Sequence, residues 1–194
     1  MTMTSSPAPS SAVEGERADI LAELAEARAA LTTTVRGLDD ARIAERPTVS
    51  GLRLGGLIKH VASIEEGWLR FVADGPSALR YDLPEGVTWE DFKAGTAQTY
   101  PQWAIDRQTE FQVLPGETLA GILARYEEVA ARTTEIVAAL PDLSVTHPLP
   151  EAPWHEPGGV RSARRVLLHV IAETAQHAGH ADILRETIDG QTST

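Results

Sequence analysis

Residues 162–190 read SARRVLLHVIAETAQHAGHADILRETIDG, and the fold can be argued from this stretch. Taken in alternating steps of three and four, it gives Ala163, Val166, Val170, Glu173, His177, His180, Leu184 and Thr187. That is the spacing of one stripe along an α-helix. Ser162 suits the N-cap, and Gly190 suits the C-terminal stop. The stripe is apolar towards both ends, but its middle holds a carboxylate and two imidazoles. A helix interior tolerates a carboxylate only when it is paired or bound to a metal, because unpaired burial costs several kcal/mol. Glu173 therefore needs a partner.

The same periodicity recurs three times towards the N-terminus. Leu21, Leu24, Ala27, Leu31, Val35 and Leu38 predict a first helix over 17–38. After a turn region at 47–51, Leu57, Val61, Ile64, Trp68 and Phe71 predict a second, stopped at Gly75-Pro76. After Pro115-Gly116, a third has Glu117 in its first turn and Leu119, Ile122, Tyr126, Val129, Thr133, Ile136 and Leu140 on its inner stripe, up to Pro141. Residues 76–115 carry Trp89, Phe92, Tyr100, Pro101, Trp103 and Phe111 without a sustained period and predict a long crossover with at most a short helical turn. Over 141–159, Pro148, Pro150, Pro153 and Pro157 deny a helix, while 143–146 suits a short extended piece. Four long amphipathic helices without a convincing strand predict an all-α fold, an antiparallel four-helix bundle with long crossover connections. One domain is expected over 13–190, with mobile tails at 1–12 and 191–194.

The chain has 194 residues, and its 17 Lys and Arg against 28 Asp and Glu leave a net charge of −11. Such a surface repels phosphate backbones and anionic lipid, so neither nucleic acid nor a membrane is an expected partner. Without cysteine there is no disulfide, no thiolate zinc site and no protein thiol nucleophile, so a catalytic thiol would have to arrive with a substrate. The start lacks the pattern of a secretory signal, and no window approaches the roughly 20 apolar residues that cross a bilayer. The expected location is cytoplasmic.

Glu173 and His177 stand one helical turn apart and can share an ion, with His169 a turn earlier. A third ligand must come from another helix, and His60 is the only histidine on the other three. Two imidazoles and a carboxylate, with a position left for water or substrate, form the ligand set of catalytic zinc, and also suit nickel or ferrous iron. The competing reading of Glu173 is a salt bridge to Arg53, Arg164 or Arg165. His180 and His169 are candidate catalytic or orienting groups. Trp68, on the helix of His60, is a candidate for the cavity wall, and His155 beside Trp154 for closing over it. His147 reads as a surface-loop residue. No phosphate-binding glycine loop, nucleophile elbow or Ser-His-Asp arrangement is present.

Leu57-Ile58-Lys59-His60-Val61 on the second helix resembles a known pattern. So does Glu173-Thr174-Ala175-Gln176-His177-Ala178-Gly179-His180, followed by Ala181-Asp182-Ile183-Leu184-Arg185-Glu186 and Ile188-Asp189-Gly190. Together these resemble the DinB/YfiT-like superfamily, in particular its actinobacterial branch named after a mini-circle protein, over about 17–190. The resemblance implies a four-helix bundle, often a homodimer, with a metal held by three residues. In many members the three are histidines, and His60 and His177 match two of them. Glu173 departs from the pattern in the manner of the mycothiol-dependent maleylpyruvate isomerase branch, where a glutamate is a ligand. The activity that the resemblance implies is that of a transferase or isomerase in which a small thiol, mycothiol, binds the metal as thiolate and attacks an electrophile. Three alternatives remain open: a hydrolase using metal-bound water with His180 as base, a non-catalytic protein that binds metal or a small ligand, and a protein whose site is vestigial and which works through its dimer surface.

Overall fold

The computed structural model describes residues 11–79 and 81–192. Most of the predicted tail 1–12, and the last two residues of the tail 191–194, lie outside the described residues. The chain is mostly helical, at 62% helix, with seven α-helices and a small sheet among the described residues. In chain order these are α1 (Ser11–Thr33), α2 (Asp40–Ile43), α3 (Leu54–Asp74), α4 (Trp89–Ala94), α5 (Gln102–Thr109), α6 (Leu119–Ala139), β1 (Thr146–Pro148), β2 (Val160–Ser162) and α7 (Ala163–Asp189).

The first long helix ends at Thr33, short of the predicted 38. Thr32, Thr33, Thr34 and Val35 are a β-branched run. The Thr34 hydroxyl donates to the Leu31 carbonyl at 2.7 Å, and the amides of Thr34, Val35 and Arg36 bond back three residues. Gly37 then turns the chain with φ +77°. Arg185 of α7 closes this end: its guanidinium is buried and donates to the carbonyls of Thr34 at 2.7 Å and Arg36 at 2.9 Å, while Nε pairs with Asp189.

The crossover is more ordered than its missing period predicts. Thr88 and Asp91 form a capping box that starts α4, and α5 follows Pro101. In the second connection, β1 pairs antiparallel with β2, with His147 opposite Arg161. The expected extended piece thus lies two to three residues later than 143–146, and it has a partner strand that the sequence pattern did not reveal. The pair holds the loop over 149–159 against α7, whose first turn Ser162 caps by accepting from the Arg165 amide at 3.2 Å. Gly190 ends α7 in the left-handed region.

Of the long helices, α1 packs on α7 and α6, and α3 packs on α6 and α7. Their core has two lobes. One gathers Leu31, Leu57, Val61, Ile122, Val129, Ala178 and Leu184. The other gathers Leu24, Leu69, Phe71, Val137, Val166 and Val170. Between them lies a polar layer of Arg28 from α1, Glu65 from α3 and Thr133 from α6. Arg28 and the Thr133 hydroxyl both donate to the fully buried Glu65 carboxylate. Judged by the lobes they join, α1 and α7 run one way and α3 and α6 the other. Antiparallel packing therefore holds for α3 on α7 and α1 on α6. The long crossover, expected from the sequence, lets the neighbours α3 and α6 run in the same sense.

Candidate metal centre

α3 carries two glycines, Gly55 and Gly56, inside its first turn, where a helix would ordinarily be stabler with alanine by about 1 kcal/mol each. Their value is close approach. A Cβ on Gly56 would run into the Phe111 backbone, and one on Gly55 into Val113. The segment after α5 therefore lies directly on α3, and Lys59 fastens it by donating to the Gln112 carbonyl at 2.9 Å.

One turn beyond Gly56, that segment meets His60, which is only 4% exposed. Phe111 stacks on the imidazole, with centroids 4.1 Å apart and planes at 28°. The Glu110 carboxylate lies 2.9 Å from Nδ1. Nδ1 as donor to this carboxylate leaves the Nε2 lone pair for a ligand.

α7 supplies the other two groups. His60, Glu173 and His177 each offer one ligand atom, and these atoms lie within 4.8 Å of one another. His177 Nε2 stands 3.6 Å from Glu173 Oε2, and the His60 and His177 rings meet edge to face at 5.0 Å. On its other side His177 Nδ1 is 3.4 Å from Nδ1 of His180, so here too Nε2 remains free. Burial and the neighbouring His60 hold the His177 imidazole below its ordinary pKa, with Glu173 opposing and His180 adding to the shift. A neutral ring is the form that ligates a metal. Two imidazole nitrogens oriented from behind and one carboxylate therefore fit a divalent cation with an open position.

The core face of α7 corrects the sequence reading of its seam. Thr174, Ala178 and Ala181 are the buried residues at mid-helix, and Glu173, His177 and His180 lie one step beside them. Glu173 is 28% and His177 13% exposed at the side chain. Glu173 faces a cleft instead of the bundle interior, so burial alone does not compel a partner for it. Nor does an arginine supply one among the described residues: Arg164 pairs with Glu16, and Arg53 donates to the carbonyls of Ala44 and Gly51.

The cleft has a volume of about 620 Å³. His60, Glu173, Glu110 and His169 line it on the metal-site side, and Trp68, Tyr81, Trp103, Trp154 and His155 form an aromatic wall. His169 Nε2 is 3.9 Å from Glu173 Oε1 and edge-on to Trp68 at 5.3 Å. His155 lies among Trp68, Tyr81 and Trp154 with Nδ1 2.9 Å from the Pro150 carbonyl. His180 touches His177 but does not line the cleft. His147 stays apart, with Nε2 3.2 Å from the Val72 carbonyl at the end of α3. Sequence reasoning missed Glu110, which sits in an aperiodic segment 50 residues from its histidine; the Gly55-Gly56 pair is the one signal that something packs there.

A family model described as mycothiol-S-transferase matches residues 19–190. No curated protein and no solved structure shows a significant match. No helix among the described residues is long and apolar enough to cross a membrane.

Proposed function

Since the chain belongs to the mycothiol-S-transferase family, within the DinB/YfiT-like superfamily, we propose that it is a metal-dependent enzyme that joins the sulfur of mycothiol to a small electrophile. His60, Glu173 and His177 hold the cation, for which zinc suits the ligand set. The observation that carries this reading is the convergence of those three ligand atoms beside a cleft of about 620 Å³. A bound divalent cation would lower the pKa of a thiol presented to it into the range where thiolate forms at neutral pH.

The protein's own groups do the rest. Glu110 and Phe111 fix the His60 ring, and His180 orients His177. His169, on the cleft wall, accepts the thiol proton. The sulfur pair then forms the C–S bond, and the leaving group departs with the electrons of the bond it breaks. Trp68 and the wall aromatics hold the electrophile and keep bulk water from competing. The hydrolase reading would use His180 as base, and its position behind His177, off the cleft, disfavours that. On the transferase reading the four long helices are the superfamily's bundle, 13–190 is its one domain, and the protein works as a cytoplasmic homodimer where a reducing pool keeps mycothiol as thiol.

The test is turnover of mycothiol with a panel of electrophiles by zinc-loaded protein. The expected result is conjugate formation that His177→Ala reduces by at least about a hundredfold. Conjugation at the uncatalysed rate by fully loaded protein, for every electrophile, would overturn the reading.

A further inference from the structure

The cleft beside the metal ligands carries four arginines: Arg70 from α3, Arg107 from α5, Arg161 from β2 and Arg165 from α7. In a chain of net charge −11 with 17 basic residues, this gathering runs against the overall balance. The two carboxylates on the cleft wall, Glu110 and Glu173, are both engaged by histidines. Among the described residues, no carboxylate pairs with the guanidinium of any of the four. Several arginines elsewhere are spent on structure: Arg28 on Glu65, Arg164 on Glu16, Arg125 on Glu66 and Arg185 on Asp189. Four elements thus deliver unpaired planar donors to one concave, aromatic-walled space.

We propose that the electrophile this cleft accepts is an anion, an aromatic or unsaturated compound bearing a carboxylate that the arginines hold while its body lies against Trp68 and Trp154. This rests on reading the cleft as the transferase's substrate site. Guanidinium groups match carboxylates in planar, two-point fashion. Cations gathered in a concave wall also focus the field and draw an anion in against an acidic surface. The arginine end would hold the anionic group, leaving the electrophilic carbon to face the metal ligands.

The test is binding, without metal or thiol, of 3,5-dinitrobenzoate and of its neutral counterpart 3,5-dinitrobenzamide, read as quenching of the cleft tryptophans. The carboxylate is expected to bind about tenfold tighter than the amide or better, as charge-assisted pairing implies, with the advantage shrinking as salt rises. Arg107→Gln with Arg165→Gln should cut the advantage, with the loss falling mainly on the carboxylate. Arg107→Lys with Arg165→Lys, which keeps the charge and loses the fork, should retain part of it and guards against a folding defect in the first pair. Equal affinity for the two probes, or a preference undiminished in the glutamine pair, would overturn the proposal. A carboxylate preference in a protein that conjugates no mycothiol keeps the anion site and removes the transferase reading. Conjugation of mycothiol without such a preference does the reverse.

Discussion

Glu110 is the residue at which the proposed metal centre can be pressed hardest. With Nδ1 of His60 donating to its carboxylate, Nε2 is the nitrogen that would face the proposed ion. Outer carboxylates of this kind usually govern metal affinity by about 10- to 100-fold. Glu110→Ala should therefore weaken zinc binding by that factor in competition with a chelating dye, while leaving the far-ultraviolet circular dichroism intact. Unchanged affinity would mean that Glu110 is an incidental neighbour. Among single residues, the sequence was informative for groups sharing one helix. Glu173 and His177 are four apart, and that spacing alone puts them within reach of one ion. Glu110 and Phe111 were illegible because nothing local relates a residue after α5 to a ring on α3. The seam of α7 was misread by one step. Thr174, Ala178 and Ala181 fill the core with small side chains that a search for large apolar residues passes over.

Packing between elements assembles that neighbourhood. Gly55-Gly56 opens a helical surface onto which the 110–113 segment lies, one turn below His60. Gly56→Ala should push that backbone away. It should cost about 1–3 kcal/mol of stability, the usual range for overpacking, and should weaken metal binding in the same protein. Gly179→Ala is the control: its Cβ would meet open space, so a gain of about 0.5–1 kcal/mol is expected from the helix propensity of alanine. Thermal unfolding of the two variants checks both; a stabilising Gly56→Ala would sink the argument. The start of α7 was legible at its cap, Ser162, whereas α6 starts later than expected: Thr118 caps it by accepting from the Gly121 amide, and Glu117 lies before the first turn instead of in it. The capping box of Thr88 and Asp91 went unread, because α4 is too short to show a period. The strand pair was not legible: three-residue strands are set by their partner, here across residues 149–159.

Across the whole molecule, the two core lobes meet at the layer of Arg28, Glu65 and Thr133, where α1, α3 and α6 are joined by polar groups. Periodicity predicted Thr133 on the inner face, but Arg28 and Glu65 went unread, since pairing across 37 residues leaves no trace in the spacing of either helix. Glu65→Ala leaves Arg28 unpaired in the interior and should destabilise by about 3–5 kcal/mol, seen as an earlier denaturant midpoint with an unchanged slope. A shift below about 1 kcal/mol would show that water reaches the layer. The layer separates a structural use of buried charge from the functional one: Glu65 is compensated inside the fold, whereas Glu173 faces the cleft with only imidazoles beside it.

Metal-bound thiol chemistry is tested most directly by the absorption spectrum of the cobalt(II)-substituted protein before and after mycothiol is added. One cobalt per chain is expected, with the intense visible bands of a four- or five-coordinate site that are absent in His177→Ala, and with a new near-ultraviolet sulfur-to-metal band once mycothiol is present. Cobalt that stays six-coordinate and unaltered by mycothiol would contradict a site that activates the thiol on its metal.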